Sequence, residues 1–104
     1  MHVTVTTADT TGETIGNAAI VAEEMESWLR EMEGFEGLLL LASEGRALGL
    51  AFWASREIAE HHAVARAEFR ERMLGVAGVR TEEVVDYEVA FARFGPRLIE
   101  AAGA

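Results

Sequence analysis

Residues 37–57 read GLLLLASEGRALGLAFWASRE. Two apolar runs, Gly37 to Ser43 and Ala47 to Ala54, flank Glu44-Gly45-Arg46. Short apolar runs joined by a Gly-containing turn predict a β-hairpin. Ser55 follows directly and can accept from the free N–H groups at a helix start, so a helix is predicted from there to about Met73.

Upstream of the hairpin, His2 to Thr7 reads HVTVTT, and its period of two in β-branched residues predicts a strand. Thr10 and Glu13 have capping-box spacing, which starts a helix near Thr11. Ile15, Ala18, Ala22, Met25, Leu29 and Met32 continue it at three- and four-residue spacing, with Val21 and Trp28 beside them, and Gly34 ends it. Downstream, Ile58, His62, Ala65, Phe69 and Met73 form the apolar stripe of the second helix. Glu57, Glu60, Arg66, Glu68 and Arg70 are assigned to its flanks and outer side. Gly75 to Glu83 reads as a loop. Val84 to Phe94 reads as the last strand, with Val85, Tyr87, Val89 and Phe91 on the core face and Asp86 and Glu88 on the other. Gly95-Pro96 breaks it, and Arg97 to Ala101 adds a helical turn.

The order β-α-β-β-α-β predicts an α+β, ferredoxin-like domain: an antiparallel sheet with two helices on one face. At 104 residues the chain is read as a single domain, 1–104, with a core over 2–94 and a short tail over 95–104. Two helices cover one side of a sheet only. The other side, carrying Leu, Ala, Gly and Trp residues of the hairpin, is therefore expected to pair with a second copy in a homodimer.

Composition excludes several classes of function. Eighteen acidic residues against nine basic ones, all arginine, give a net charge of −9, which argues against nucleic acid and anionic membrane surfaces as partners. With no cysteine, disulfides, thiolate metal sites and cysteine nucleophiles are ruled out. The start MHVTVTTADT has no signal-peptide pattern, and the apolar run Leu38 to Ala42 is too short to span a bilayer, so the expectation is a cytoplasmic protein. His61 and His62 are not a metal motif, because adjacent helical residues point about 100° apart. No phosphate-binding glycine loop and no nucleophile elbow is present.

On four stretches the chain resembles the dimeric α/β-barrel superfamily, and within it the antibiotic-biosynthesis-monooxygenase-like group. These are Glu33-Gly34-Phe35-Glu36-Gly37, Gly45-Arg46-Ala47-Leu48-Gly49, Phe52-Trp53-Ala54-Ser55-Arg56-Glu57 and Tyr87-Glu88-Val89-Ala90. The resemblance implies a pocket between sheet and helices and, in some members, oxygenation of a polyketide-type quinol without a cofactor, the substrate anion reacting directly with dioxygen. Other members degrade haem through an Asn on the first strand, a Trp on the second helix and a later His. Here the first strand offers Thr4 and Thr6, the second helix has no Trp, and Arg70 and Arg72 stand near the expected histidine.

His62, central in an apolar stripe, reads in two ways. It is a core histidine bonded to a backbone carbonyl or a Tyr hydroxyl, or it is a general base near neutral pH. Trp28, within a cluster of Met25, Leu29 and Met32, likewise serves as core or as pocket wall. The candidate catalytic residues are thus His62, Tyr87 and Arg66, with Arg66 stabilising an anion. The candidate ligand-binding residues are Trp53, Phe69, His61 and Trp28. No metal and no cofactor is expected; the partners expected are a second copy and a small aromatic ligand. Asp86 and Glu88 are expected at the dimer interface, paired with Arg93 or Arg46. The leading function is a small-molecule-binding dimer that oxygenates an aromatic substrate without cofactor. The alternatives are a non-catalytic dimeric domain and a haem-binding protein.

Overall fold

The computed structural model describes residues 1–10, 15–76 and 79–103. In chain order it forms β1 (His2–Asp9), α1 (Ile15–Leu29), β2 (Phe35–Ser43), β3 (Arg46–Trp53), α2 (Arg56–His61), α3 (Ala63–Val76), β4 (Arg80–Glu88) and α4 (Pro96–Gly103). The strands form one sheet in the order β2-β3-β1-β4, every neighbouring pair antiparallel. With the helices α1 and α3 on one face, this is the ferredoxin-like α+β arrangement that the sequence predicts.

The register sorts the side chains. Thr4 lies opposite Ala51 on one side and Asp86 on the other, and Ala51 lies opposite Leu38. Directly paired residues share a face, and this row is the one beneath the helices. The next row, Val5 with Leu50, Leu39 and Val85, belongs to the face that α1 and α3 leave open. The core proper is small: Leu29, Trp53 and Ala59 are buried, with Trp28, Met32, Phe35 and Ile58 packed round them. Trp53 is fully buried on the helix side. The hairpin tryptophan is thus not part of the open face, as the sequence reading had it.

Three element boundaries differ from expectation. α1 ends at Leu29, and tight turns carry the chain to Gly34 (Arg30 N–H to Glu26 C=O, 2.9 Å; Phe35 N–H to Met32 C=O, 3.2 Å). The Thr10–Glu13 capping box lies partly outside the described residues. Ser55 caps α2 as expected, its Oγ accepting from the Ile58 N–H at 3.2 Å, but the helix breaks at His62 (φ −95°, ψ 2°) and restarts as α3. Finally, β4 spans Arg80–Glu88 rather than Val84 to Phe94. It pairs only with β1, and His2 opposite Glu88 is the end of that strand. Beyond it a single bond, Val89 N–H to Met1 C=O at 2.9 Å, remains. A strand cannot run on past the end of its only partner, however well its sequence alternates.

The faces of β4 are also reversed. Asp86 lies on the helix side with Thr4, whereas Val85 and Tyr87 lie with the open face. The alternation marks two faces without saying which one the helices cover.

Candidate active site

Under α1 and α3 the sheet borders a partly open cavity of about 120 Å³. Its walls are almost wholly apolar, since β1 and β3 contribute short residues there (Ala8, Ala47, Gly49, Ala51) and leave room below the helices. Trp28 from α1 and Phe69 from α3 stack face to face across the helix pair, 4.0 Å between centroids and 8° from parallel, and both line the space. Two arginines from α3, Arg66 and Arg70, break the apolar lining.

Arg66 is buried, 9 % exposed, which places it inward and not on the flank of its helix. Ala65, expected in the apolar stripe of this helix, is exposed instead. The Arg66 Nη2 donates to the Ala59 carbonyl at 2.7 Å and Nη1 to the Thr4 hydroxyl at 3.3 Å. Its guanidinium lies 4.8 Å from the centre of the Trp53 ring, a cation–π contact in a desolvated setting. Burial pushes its pKa down, the Asp86 charge works against that, and the neighbouring Arg70 adds to it.

Thr4 passes the chain of bonds onward. Its hydroxyl donates to Asp86 Oδ1 at 2.9 Å, and the His2 ring meets the same oxygen through Nε2 at 2.9 Å. Burial raises the Asp86 carboxyl, but the bonds from His2 and Thr4 and the charges of His2 and Arg66 outweigh it, and its pKa is lowered. Asp86 therefore has partners within its own chain, on the helix side of the sheet. The network ends in a second, polar cleft of about 580 Å³ bordered by His2, Arg56, Glu60, Asp86 and Glu88. Arg66 reaches both spaces, so a line of hydrogen bonds joins an apolar cavity to a polar cleft.

Of the residues singled out in the sequence, Arg66, Phe69 and Trp28 meet at the cavity. Trp53 lies behind it in the core, with Phe35 edge-on at 5.5 Å. The His62 Nε2 stands 3.2 Å from the Glu33 carbonyl, and its ring packs 5.7 Å from Trp53, outside the cavity lining. His61 is exposed and touches only the edge of His62. Tyr87 borders the polar cleft and is 55 % exposed. Sequence reasoning missed Arg70, Thr4, Asp86 and His2 as a group. The period-two placement of His2, Thr4 and Thr6 on one face of β1 was the signal for half of them. Among the described residues no cluster of three or more His, Asp or Glu side chains is placed to hold a metal ion, and no helix is long and apolar enough to cross a membrane.

No family model and no curated protein matches the sequence. Solved structures do. An antibiotic-biosynthesis-monooxygenase-type protein from Deinococcus radiodurans superposes with a TM-score of 0.63 at 17% identity, covering 90% of this chain and 97% of its own. SnoaB, a cofactor-independent oxygenase from Streptomyces nogalater, gives 0.61 at 17% identity over 91% and 96% of the two chains. A monooxygenase from the ActVA-Orf6 gene of Streptomyces coelicolor, solved with nanaomycin D, gives 0.58 at 17% identity over 90% and 91%. The chain has the fold of the antibiotic-biosynthesis-monooxygenase-like proteins.

Proposed function

We propose that this chain binds a small aromatic molecule in the cavity beneath α1 and α3, as a homodimer, and oxygenates it without a cofactor. The observation that carries the reading is the pairing of an apolar, ring-sized space with a buried guanidinium, Arg66, at its wall. An engineered apolar cavity of about 150 Å³ takes up benzene, so about 120 Å³ suits one ring, with any further ring extending through the open side. Arg66 stabilises the substrate as its anion, and in a space with little water such a charge is worth far more than at the surface. The stacked pair of Trp28 and Phe69 walls the space, and the ring lies against the edges of that stack.

The reaction balances with dioxygen alone. A quinol and O₂ give a hydroxyquinone and water: the phenolate donates electrons, one oxygen atom forms a new C–O bond, and the other leaves as water with two hydrogens of the substrate. No external reductant is required, because the quinol is itself oxidised. His62 lies outside the cavity, so the proton leaves more directly along Thr4 toward Asp86 and the polar cleft than through that imidazole. The fold shared with SnoaB and the ActVA-Orf6 monooxygenase supports this chemistry as a direction for assay.

Oxygen uptake with mono- and bicyclic hydroquinones tests it. The expected result is one O₂ consumed per quinol, with Arg66→Met slowing turnover about 10²-fold, the usual cost of removing an oxyanion-stabilising group. Binding without uptake across the set would favour the non-catalytic alternative.

A further inference from the structure

The oxygenation reading uses one arginine, and the cavity holds two. Arg66 and Arg70 lie one helical turn apart on α3 and both line the space. The Nε atoms of both are buried, and neither has a hydrogen-bond partner among the described residues. No carboxylate stands within ion-pair distance of either guanidinium there; the ion pairs seen involve His2, Arg30, Arg56 and Arg80. Asp86 acts on both from farther away, and Glu71 on Arg70. Burial presses the pKa of each downward, and the Arg70 charge presses on Arg66.

A buried and a half-buried cation at one apolar cavity, each with an orphaned buried Nε, are poor structural elements. An unpaired buried donor retains its full desolvation penalty, and a hydrophobic side chain of similar volume would pack there at less cost. The arrangement becomes favourable once an anion is inserted between them.

The chemistry of that anion follows from the donors. Guanidinium forks match a planar group with two oxygens, and a carboxylate presents about four lone-pair sites to them. A phosphate would bring a second charge and a larger hydration shell into walls that are otherwise Trp28, Phe69, Leu38 and Met25. We propose that the cavity selects an aryl carboxylate, its ring against Trp28 and Phe69 and its two oxygens shared between Arg66 and Arg70, with Arg70 as the residue that determines this specificity. The proposal rests on the reading of the cavity as a ligand site and adds the class of ligand.

Benzoate, its neutral isostere benzamide, and toluene separate the parts of the argument. Each is titrated into the full chain near neutral pH, with calorimetry and the tryptophan emission, to which Trp28 in the cavity wall and Trp53 both contribute, as readouts. Benzoate should bind at least ten-fold more tightly than benzamide. Arg70→Met should abolish that preference, retain toluene, and raise the melting temperature of the ligand-free protein. Arg70→Lys, which keeps the charge and loses the fork, should fall between and serves if the methionine variant folds poorly. Equal binding of benzoate and benzamide, or a preference that survives in both variants, overturns the carboxylate while the cavity stands through toluene. If none of the three binds, the cavity reading falls, and the carboxylate with it.

Discussion

At the scale of single residues, the site turns on polar groups placed in an apolar setting. Arg66 was recognisable as an arginine that could hold an anion, but its helical phase suggested a flank. Arginines at 66 and 70 look like a solvated face when a stripe through Ala65 is equally available. The structure selects the other phase, because Thr4 and the Ala59 carbonyl supply acceptors for Arg66 inside. Asp86 was beyond reach for a different reason: its partners lie 82 and 84 residues away in the chain, and only the pairing of β1 with β4 brings them together. Its lowered pKa makes a prediction about acid stability. A carboxyl held below its unfolded value, near 3.9, contributes stability that is present above about pH 4 and is lost as pH falls through the folded value. Asp86→Asn keeps acceptor oxygen and shape while removing the charge. The variant should be less stable than the native protein at pH 6, and the gap should close as pH falls from 5 to 2. The side chain is 58% exposed, so solvent screening should hold that gap below about 1 kcal/mol. Urea titrations at stepped pH measure it, and a gap independent of pH would contradict the assignment.

At the scale of elements, the hairpin and its following cap were legible because their signals are local. Two apolar runs, a Gly turn and a Ser needed no knowledge of anything distant. The end of β4 was not local, since it depends on where β1 begins. Nor was the helix break at His62, where no proline or glycine announces it. Gly34 shows how a local signal carries a long-range role. It has φ +83°, a conformation that side chains disfavour, and it follows the tight turns after α1. A Cβ placed there would come within 2.5 Å of Ile58 Cγ2 on α2. The turn thus also sets how closely α2 approaches the core. Gly34→Ala should cost roughly 2–4 kcal/mol, from the left-handed backbone and the overpacking together. Adding Ile58→Val, which removes the Cδ1 that would lie 2.8 Å away, should recover part of that cost, and the two changes should couple rather than add. Denaturant unfolding of the single and double variants gives the answer directly. Strict additivity would mean that the contact with Ile58 Cδ1 has no part in the loss, which would then come from backbone strain and the Cγ2 contact that valine keeps.

At the scale of the whole molecule, the charge pattern and the open face act against each other. Val5, Leu39, Leu41, Leu50 and Val85 share the face that α1 and α3 do not cover, and Leu39 and Leu41 are 38% and 46% exposed. The chain beyond β4 adds Phe91, Phe94, Leu98 and Ile99, all exposed. A monomer gains nothing from this surface, whereas a two-fold pair buries it. The sequence reading expects a second copy from helix count alone, although it places Trp53 on the open face, whereas the register puts Trp53 and Asp86 on the helix side. The homodimer we propose should have a mass of about 23 kDa, twice 11.3 kDa, by light scattering. Pairing brings together two chains of charge −9, so association should strengthen as added salt screens their repulsion. Leu39→Glu with Leu41→Glu places charge on the middle of the open face, at positions where the isolated monomer loses little. These substitutions should shift the mass toward 11 kDa while the far-ultraviolet circular dichroism of the fold persists. A native protein that remains a monomer at high salt would remove the dimer from this account. The cavity would remain, because all of its described lining belongs to one chain.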